Sequence, residues 1–134
     1  MLESERVVEG MTIMTTEKIL SLDPPVDDPI SKMAHRIIRR IVTKFPEKID
    51  EIEEEAQLEE KESNLLKVDT ENLKEEYFEI RKKLKSKIGN FDDNENDFSK
   101  LRKWGVISLL FIVVQVELTV RGLSIKDLLA RHHV

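Results

Sequence analysis

The chain contains no cysteine, which excludes disulfide staples, thiolate zinc sites and thiol nucleophiles. Aromatic residues make up only 5%, so the core they leave room for is aliphatic. The four glycines, Gly10, Gly89, Gly105 and Gly122, stand alone, and no glycine-rich phosphate loop can be built from them. No apolar run exceeds Val106 to Val114. A membrane span needs about 20 apolar residues, and Gln115, Glu117 and Arg121 close this run off, so it is expected to be buried core with no membrane partner. The N-terminus, Met1-Leu2-Glu3-Ser4-Glu5-Arg6, lacks the apolar stretch of a signal peptide. A cytoplasmic location is expected.

What the chain does have is charge. Charged residues make up 37% of its 134 positions, against about 25% in an ordinary globular protein. The charge is segregated along the chain. Residues 1–30 carry net −5, residues 31–45 net +5, residues 46–80 net −10, residues 81–103 net +4 and residues 104–134 net +1. Such alternation favours pairing between helices of opposite sign, within the chain or with a partner. It disfavours one large nucleic-acid footprint.

Residues 1–28 read as a weakly ordered segment and linker. Thr15-Thr16-Glu17-Lys18-Ile19-Leu20 can start a short capped helix, and Pro24-Pro25 forbid helix after it. Asp28 is then a good N-cap and Pro29 suits the first helical position. Ile30, Met33, Ile37, Ile41 and Phe45 recur at 3 or 4 residues along one face, and Pro46 ends the helix. Its other face carries Arg36, Arg39, Arg40 and Lys44. These read as a nucleic-acid surface or as a face for an acidic partner, with the acidic helix downstream as the simplest one. The lack of aromatic stacking groups in this stretch favours the second reading.

Glu47 to Glu62 has a thin apolar stripe, Ile49, Ile52, Ala56 and Leu58, and reads as an exposed helix or a linker with helical tendency. Its glutamates are not a metal cluster, because such clusters need acids converging from separate segments. Asp69 or Thr70 caps the next helix. In it Leu66, Leu73 and Ile80 are seven apart, as are Thr70, Tyr77 and Leu84. Leu66, Leu73, Tyr77, Ile80 and Leu84 thus form a helix-docking seam, too short for a claim of coiled coil. The helical region covers 29–90 and Gly89-Asn90 stops it. Residues 91–97 are a polar hinge that lacks the glycine and distal glutamate of a calcium loop.

Residues 98–134 form an apolar terminal lobe. Asp97 or Ser99 caps a helix that contains Leu101, Val106, Leu109, Leu110 and Ile112. From Val114 the apolar period changes to two, with Val114, Val116, Leu118 and Val120 on one side and β-branched content high. A half-buried strand is expected there, with one continuous helix to Val120 as the rival. Gly122 breaks the pattern and Ser124 caps a short helix, Ile125 to His132. Two arrangements fit. In one, Val106–Thr119, a turn at Arg121-Gly122-Leu123, and Ser124–Arg131 make a helix-turn-helix. In the other, helix, strand and short element make a winged-helix-like lobe. The order Phe98-x-x-Leu101, Val106-x-x-Leu109-Leu110-x-Ile112, Val116-Glu117-Leu118 and Lys126-Asp127-Leu128 resembles the end of prokaryotic kleisins, the segregation and condensation protein A family. The resemblance implies a winged helix that docks on the ATPase head of an SMC protein, with Leu109, Leu110, Val116, Leu118 and Leu128 in its core.

The fold class expected is mainly α, with helical N-terminal and central segments and a small terminal lobe of winged-helix or helix-turn-helix type. No histidine has a serine or acid set beside it by motif: His35 lies among arginines, and His132 and His133 lie at the terminus. The chain is therefore expected to be a non-catalytic protein-interaction subunit without cofactor or metal, with a protein partner or a second copy of itself. Association with SMC-type chromosome maintenance follows the resemblance. A helix-turn-helix DNA regulator is the alternative.

Overall fold

A computed structural model describes residues 16–20, 27–92 and 94–132. Residues 1–15, the linker residues Pro24-Pro25 and His133 lie outside them. The helices are α1 (Thr16–Leu20), α2 (Pro29–Lys44), α3 (Ile49–Ser63), α4 (Thr70–Lys85), α5 (Phe98–Val120) and α6 (Ile125–His132), with 3-10 turns at Pro46–Lys48 and Leu65–Lys67.

Local chemistry sets the boundaries. The Asp28 carboxylate accepts from the Ser31 N–H at 3.0 Å, Asp69 from the Asn72 N–H at 2.9 Å, Asp97 from the Ser99 N–H at 3.0 Å and Ser124 from the Asp127 N–H at 3.2 Å. Each satisfies a donor that the first helical turn leaves unpaired. α3 ends on Asn64, a left-handed residue at φ 53°. After α5, Gly122 at φ +94° lets the Leu123 N–H turn back to the Leu118 carbonyl at 3.0 Å, a closure that glycine makes without steric cost. The acidic stretch after Pro46 is a helix, α3.

The expected strand after Val114 does not form. No strand occurs among the described residues, and α5 runs unbroken for 23 residues. The reason is the backbone. A single strand with no neighbour would leave its N–H and C=O groups unpaired, whereas a helix satisfies them internally. That requirement outweighs the weak β-preference of Val113, Val114, Val116 and Val120. The polar residues beside these valines are accommodated on the helix. The Thr119 hydroxyl donates to the Gln115 carbonyl at 3.0 Å, and Arg121 pairs with Glu117 one turn away at 2.9 Å.

α5 is the axis of the molecule. α2, α4 and α3 all pack on it, which explains why it is apolar nearly all round. By length and composition it could cross a membrane, but here 61% of its most apolar window is buried inside the protein. Leu109, Leu110, Phe111, Ile112, Val114 and Leu118 are buried and share one core with Ile37 and Ile41 of α2, Ile52 of α3 and Leu73 of α4. The residues of the expected terminal lobe thus pack in the same core as the central region. Gly105 makes the close approach possible, because a β-carbon there would lie 2.6 Å from Ile41 Cδ1 and 3.1 Å from Ile52 Cδ1.

One polar network crosses this core. The Gln115 amide, 1% exposed, donates to Ser31 Oγ and to the Tyr77 hydroxyl, both at 2.9 Å. Ser31 Oγ donates to Asp28 at 3.2 Å. Arg81 grips the same carboxylate with both terminal nitrogens, at 2.7 and 2.8 Å. The network joins α2, α4 and α5. Burial alone would push the Asp28 carboxyl up. The Arg81 guanidinium and the Ser31 donors more than offset this and hold it below its ordinary value.

Candidate functional site

The helices around α5 do not close a ring. α4 contacts α2 directly and is locked to it by the Asp28–Arg81 pair. On the other flank, α1 packs on α2 and its Thr16 N–H and hydroxyl both donate to Glu53 of α3, at 2.8 and 3.1 Å. α1 therefore bridges α2 to α3. Between α3 and α4 the contacts run through the connecting 3-10 turn, Leu65–Lys67, which packs on both helices at one end.

The gap between these two helices is a groove of about 340 Å³. Its floor is Ile107 and Leu110 of α5, with Ile80 and Leu65 at the sides. Its rim is acidic, with Glu59 and Glu62 on α3 and Glu76 on α4, and Lys83 is the one base. The registers follow from helix geometry. Glu76, Ile80 and Lys83 are spaced 4 and 3 along α4, and Ile107 and Leu110 are spaced 3 along α5, so each set lies along one face. Leu58, one turn before Glu62, is 56% exposed.

Behind the rim lies Glu60, which is buried and has one carboxylate oxygen without a partner. Burial pushes its carboxyl up. The Leu66 N–H and the Lys67 and Lys61 charges oppose that rise without cancelling it. Arg121 closes the far end of α4 by donating to the Leu66 carbonyl at 3.1 Å and to the Thr70 hydroxyl at 3.3 Å.

The seam residues Leu73, Tyr77, Ile80 and Leu84 are buried and Leu66 is partly buried. The seam is spent inside the molecule on α5, where the Tyr77 ring stacks on Phe111 at 5.1 Å. Leu73, Tyr77 and Leu84 are therefore not a free docking surface, and of the seam residues only Ile80 also edges the groove. The basic face of α2 is divided. Arg40 donates to the Glu95 carbonyl at 2.9 and 3.1 Å and to Asn96 at 3.2 Å, so it holds the 91–97 hinge. The Arg36 guanidinium stands over the Phe91 ring at 5.5 Å. Arg39 and Lys44 are exposed. The acidic α3 takes its cation from α5 instead, through Arg102 to Glu51 and Glu55.

The sequence shows the rim acids as part of an acidic run, with no sign that three of them flank apolar residues of a distant helix. Trp104 was equally silent. It stands half-buried between Lys87 and Lys103. Among the described residues no group of histidines and acids could hold a metal ion. No protein-family model, curated protein or solved structure matches the chain.

Proposed function

We propose that the chain is a non-catalytic protein-interaction subunit and that the groove between α3 and α4 is its docking site. The observation that carries this is the groove floored by the partly exposed Ile107 beside the buried Leu110, edged by Glu59, Glu62 and Glu76. Its occupant is an amphipathic helix from a different protein, with apolar residues every three or four positions and lysine or arginine on the flanks. Such a helix would complete the ring around α5 and meet the acidic rim with opposite charge. A second copy of this chain fits poorly, because residues 46–80 carry net −10 and a two-fold contact would set that charge against itself. The N-terminal residues 1–15, with three acids and one base, offer no charge complement to the rim either.

The resemblance to kleisins extends the proposal to a partner class, the ATPase head of an SMC-type protein in the cytoplasm. On that extension the terminal lobe is α5, the turn through Gly122, and α6. The alternative is a helix-turn-helix that reads DNA with α6, and what favours it is that Lys126 and Arg131 are both exposed on that helix.

The test is affinity capture from the native source with three baits. These are the unmodified chain, Ile107→Glu at the groove floor, and Glu59→Lys/Glu62→Lys/Glu76→Lys at the rim. A protein partner held by the first and lost from both variants, each still folded by circular dichroism, supports the groove. Partners retained equally by all three baits would refute it. DNA binding that falls steeply with salt and disappears in Lys126→Ala/Arg131→Ala would favour the alternative.

A further inference from the structure

A second cavity, of about 370 Å³, lies beyond the C-terminal end of α4, beside the first turns of α5. Lys87, Lys100 and Lys103 line it together with Trp104 and Phe91. Trp104 is the only tryptophan of the chain. Its ring has the Lys87 Nζ at 5.5 Å and the Lys103 Nζ at 5.4 Å from its centre. None of these three lysines makes an ion pair with a described residue. The three ammonium groups give the cavity an excess of positive charge that attracts an anion.

The lining also holds two acids, Asp92 and Glu95, so its three lysines exceed its carboxylates by one charge. Asp92 accepts from the Asn94 N–H at 2.9 Å and Glu95 from the Asp97 N–H at 3.0 Å. Their carboxylates thus cap the hinge. The hinge itself is held by Arg40 through the Glu95 carbonyl, and the Arg36 guanidinium stands over the Phe91 ring at 5.5 Å. The site therefore combines a flat aromatic surface, three lysines against two carboxylates, and a hinge held from α2.

We propose that this cavity binds a phosphorylated nucleoside. The base stacks on Trp104 and the phosphate is held by Lys87, Lys100 and Lys103. Long lysine side chains that now rest on the indole can swing to the phosphate as the base takes their place. The volume falls within the range of about 300–1,000 Å³ typical of small-molecule sites. A base stacked on an aromatic side chain contributes about 1–3 kcal/mol, and the lysine contacts make binding salt-dependent. This site is separate from the acidic groove and does not depend on a protein partner.

Trp104 reports on its own ligand. The intact chain is titrated at low salt with adenosine diphosphate, adenosine, inorganic phosphate and a deoxyadenosine strand of about ten residues, while indole emission is followed. Saturable quenching by adenosine diphosphate is expected, with adenosine and phosphate each at least about tenfold weaker, since each supplies one half of the contact. Lys87→Gln/Lys103→Gln should weaken adenosine diphosphate about tenfold or more at nearly unchanged melting temperature, because Lys103 is exposed, Lys87 half-buried, and neither makes an ion pair with a described residue. Saturation by the free nucleotide identifies a mononucleotide ligand, and saturation by the strand alone identifies a nucleic-acid end or loop. Both would support a site for base plus phosphate. The proposal is overturned by no saturable change with either, by phosphate binding as tightly as the nucleotide, or by unaltered affinity in the lysine variant.

Discussion

Replacing Arg81 by Met tests whether the cross-core network holds the bundle together. The Arg81 and Asp28 side chains are 13% and 11% exposed and meet at 2.7 Å. Removing one partner of a buried ion pair leaves the other charge uncompensated, at about 3–5 kcal/mol. Slight exposure of both groups places the expected loss at the lower end, about 3 kcal/mol. Total stability of a domain this size is about 5–15 kcal/mol, so the variant should fold but melt early. At about 3–4 °C per kcal/mol for a chain of this length, the melting temperature should fall by about 10 °C. Asp28→Asn keeps an oxygen to cap Ser31 but removes the charge, so it should also destabilise. The double variant Asp28→Asn/Arg81→Met should lose less than the two single losses combined, because neither charge is then left alone. The pH dependence has a definite sign. The folded-state value of Asp28 lies below its ordinary 3.8, so its stabilisation is complete at neutral pH. It is lost as pH falls below that ordinary value and through the folded one. The gap between the unmodified chain and Arg81→Met should therefore narrow at pH 3. Thermal unfolding by circular dichroism at the two pH values measures all of this. An Arg81→Met variant within about 0.5 kcal/mol of the parent would refute the reasoning, since that is the scale of an ordinary surface change.

The remaining predictions concern buried positions. Glu60→Gln should stabilise the fold at pH 7 by about 1 kcal/mol, read as a higher melting temperature, because the Glu60 carboxyl is pushed up by burial. The gain should vanish below the ordinary value of 4.5, where both states hold the proton, and melts at pH 4 and pH 7 would show it. Gln115→Met removes two hydrogen bonds but also the unpartnered Gln115 oxygen. The two effects oppose each other, and chemical denaturation should place the variant within about 1 kcal/mol of the parent. Gly105→Val should cost about 2 kcal/mol in the same assay, because overpacking against Ile41 and Ile52 exceeds the gain in helix propensity. Gly105→Ala should be close to neutral, since its β-carbon meets only the ends of two isoleucine side chains.

The sequence was informative wherever a feature rests on neighbours along the chain. Asp28-Pro29, Asp69, Asp97 and Ser124 announce helix starts because a cap is a bond between residues two or three apart. The stripe from Ile30 to Ile41 and the seam from Leu73 to Leu84 are legible as helix faces because their spacing follows the helical period. It misled at Val114–Val120, where alternation and β-branching suggested a strand. Period two and an all-round apolar helix look alike once a helix is wrapped on several sides.

By itself, then, the sequence determined a helical chain, its caps, its breaks and its blocks of charge, since these follow from local bonding and composition. The tertiary structure decided which helix stands at the centre, that the Leu73–Leu84 seam is consumed by α5, and that the groove over Ile107 and Leu110 is left open. It also decided that three lysines and Trp104 share a cavity. Those outcomes depend on contacts between segments tens of residues apart, such as Gln115 with Ser31 and Arg81 with Asp28. No periodicity along the chain encodes which face meets which.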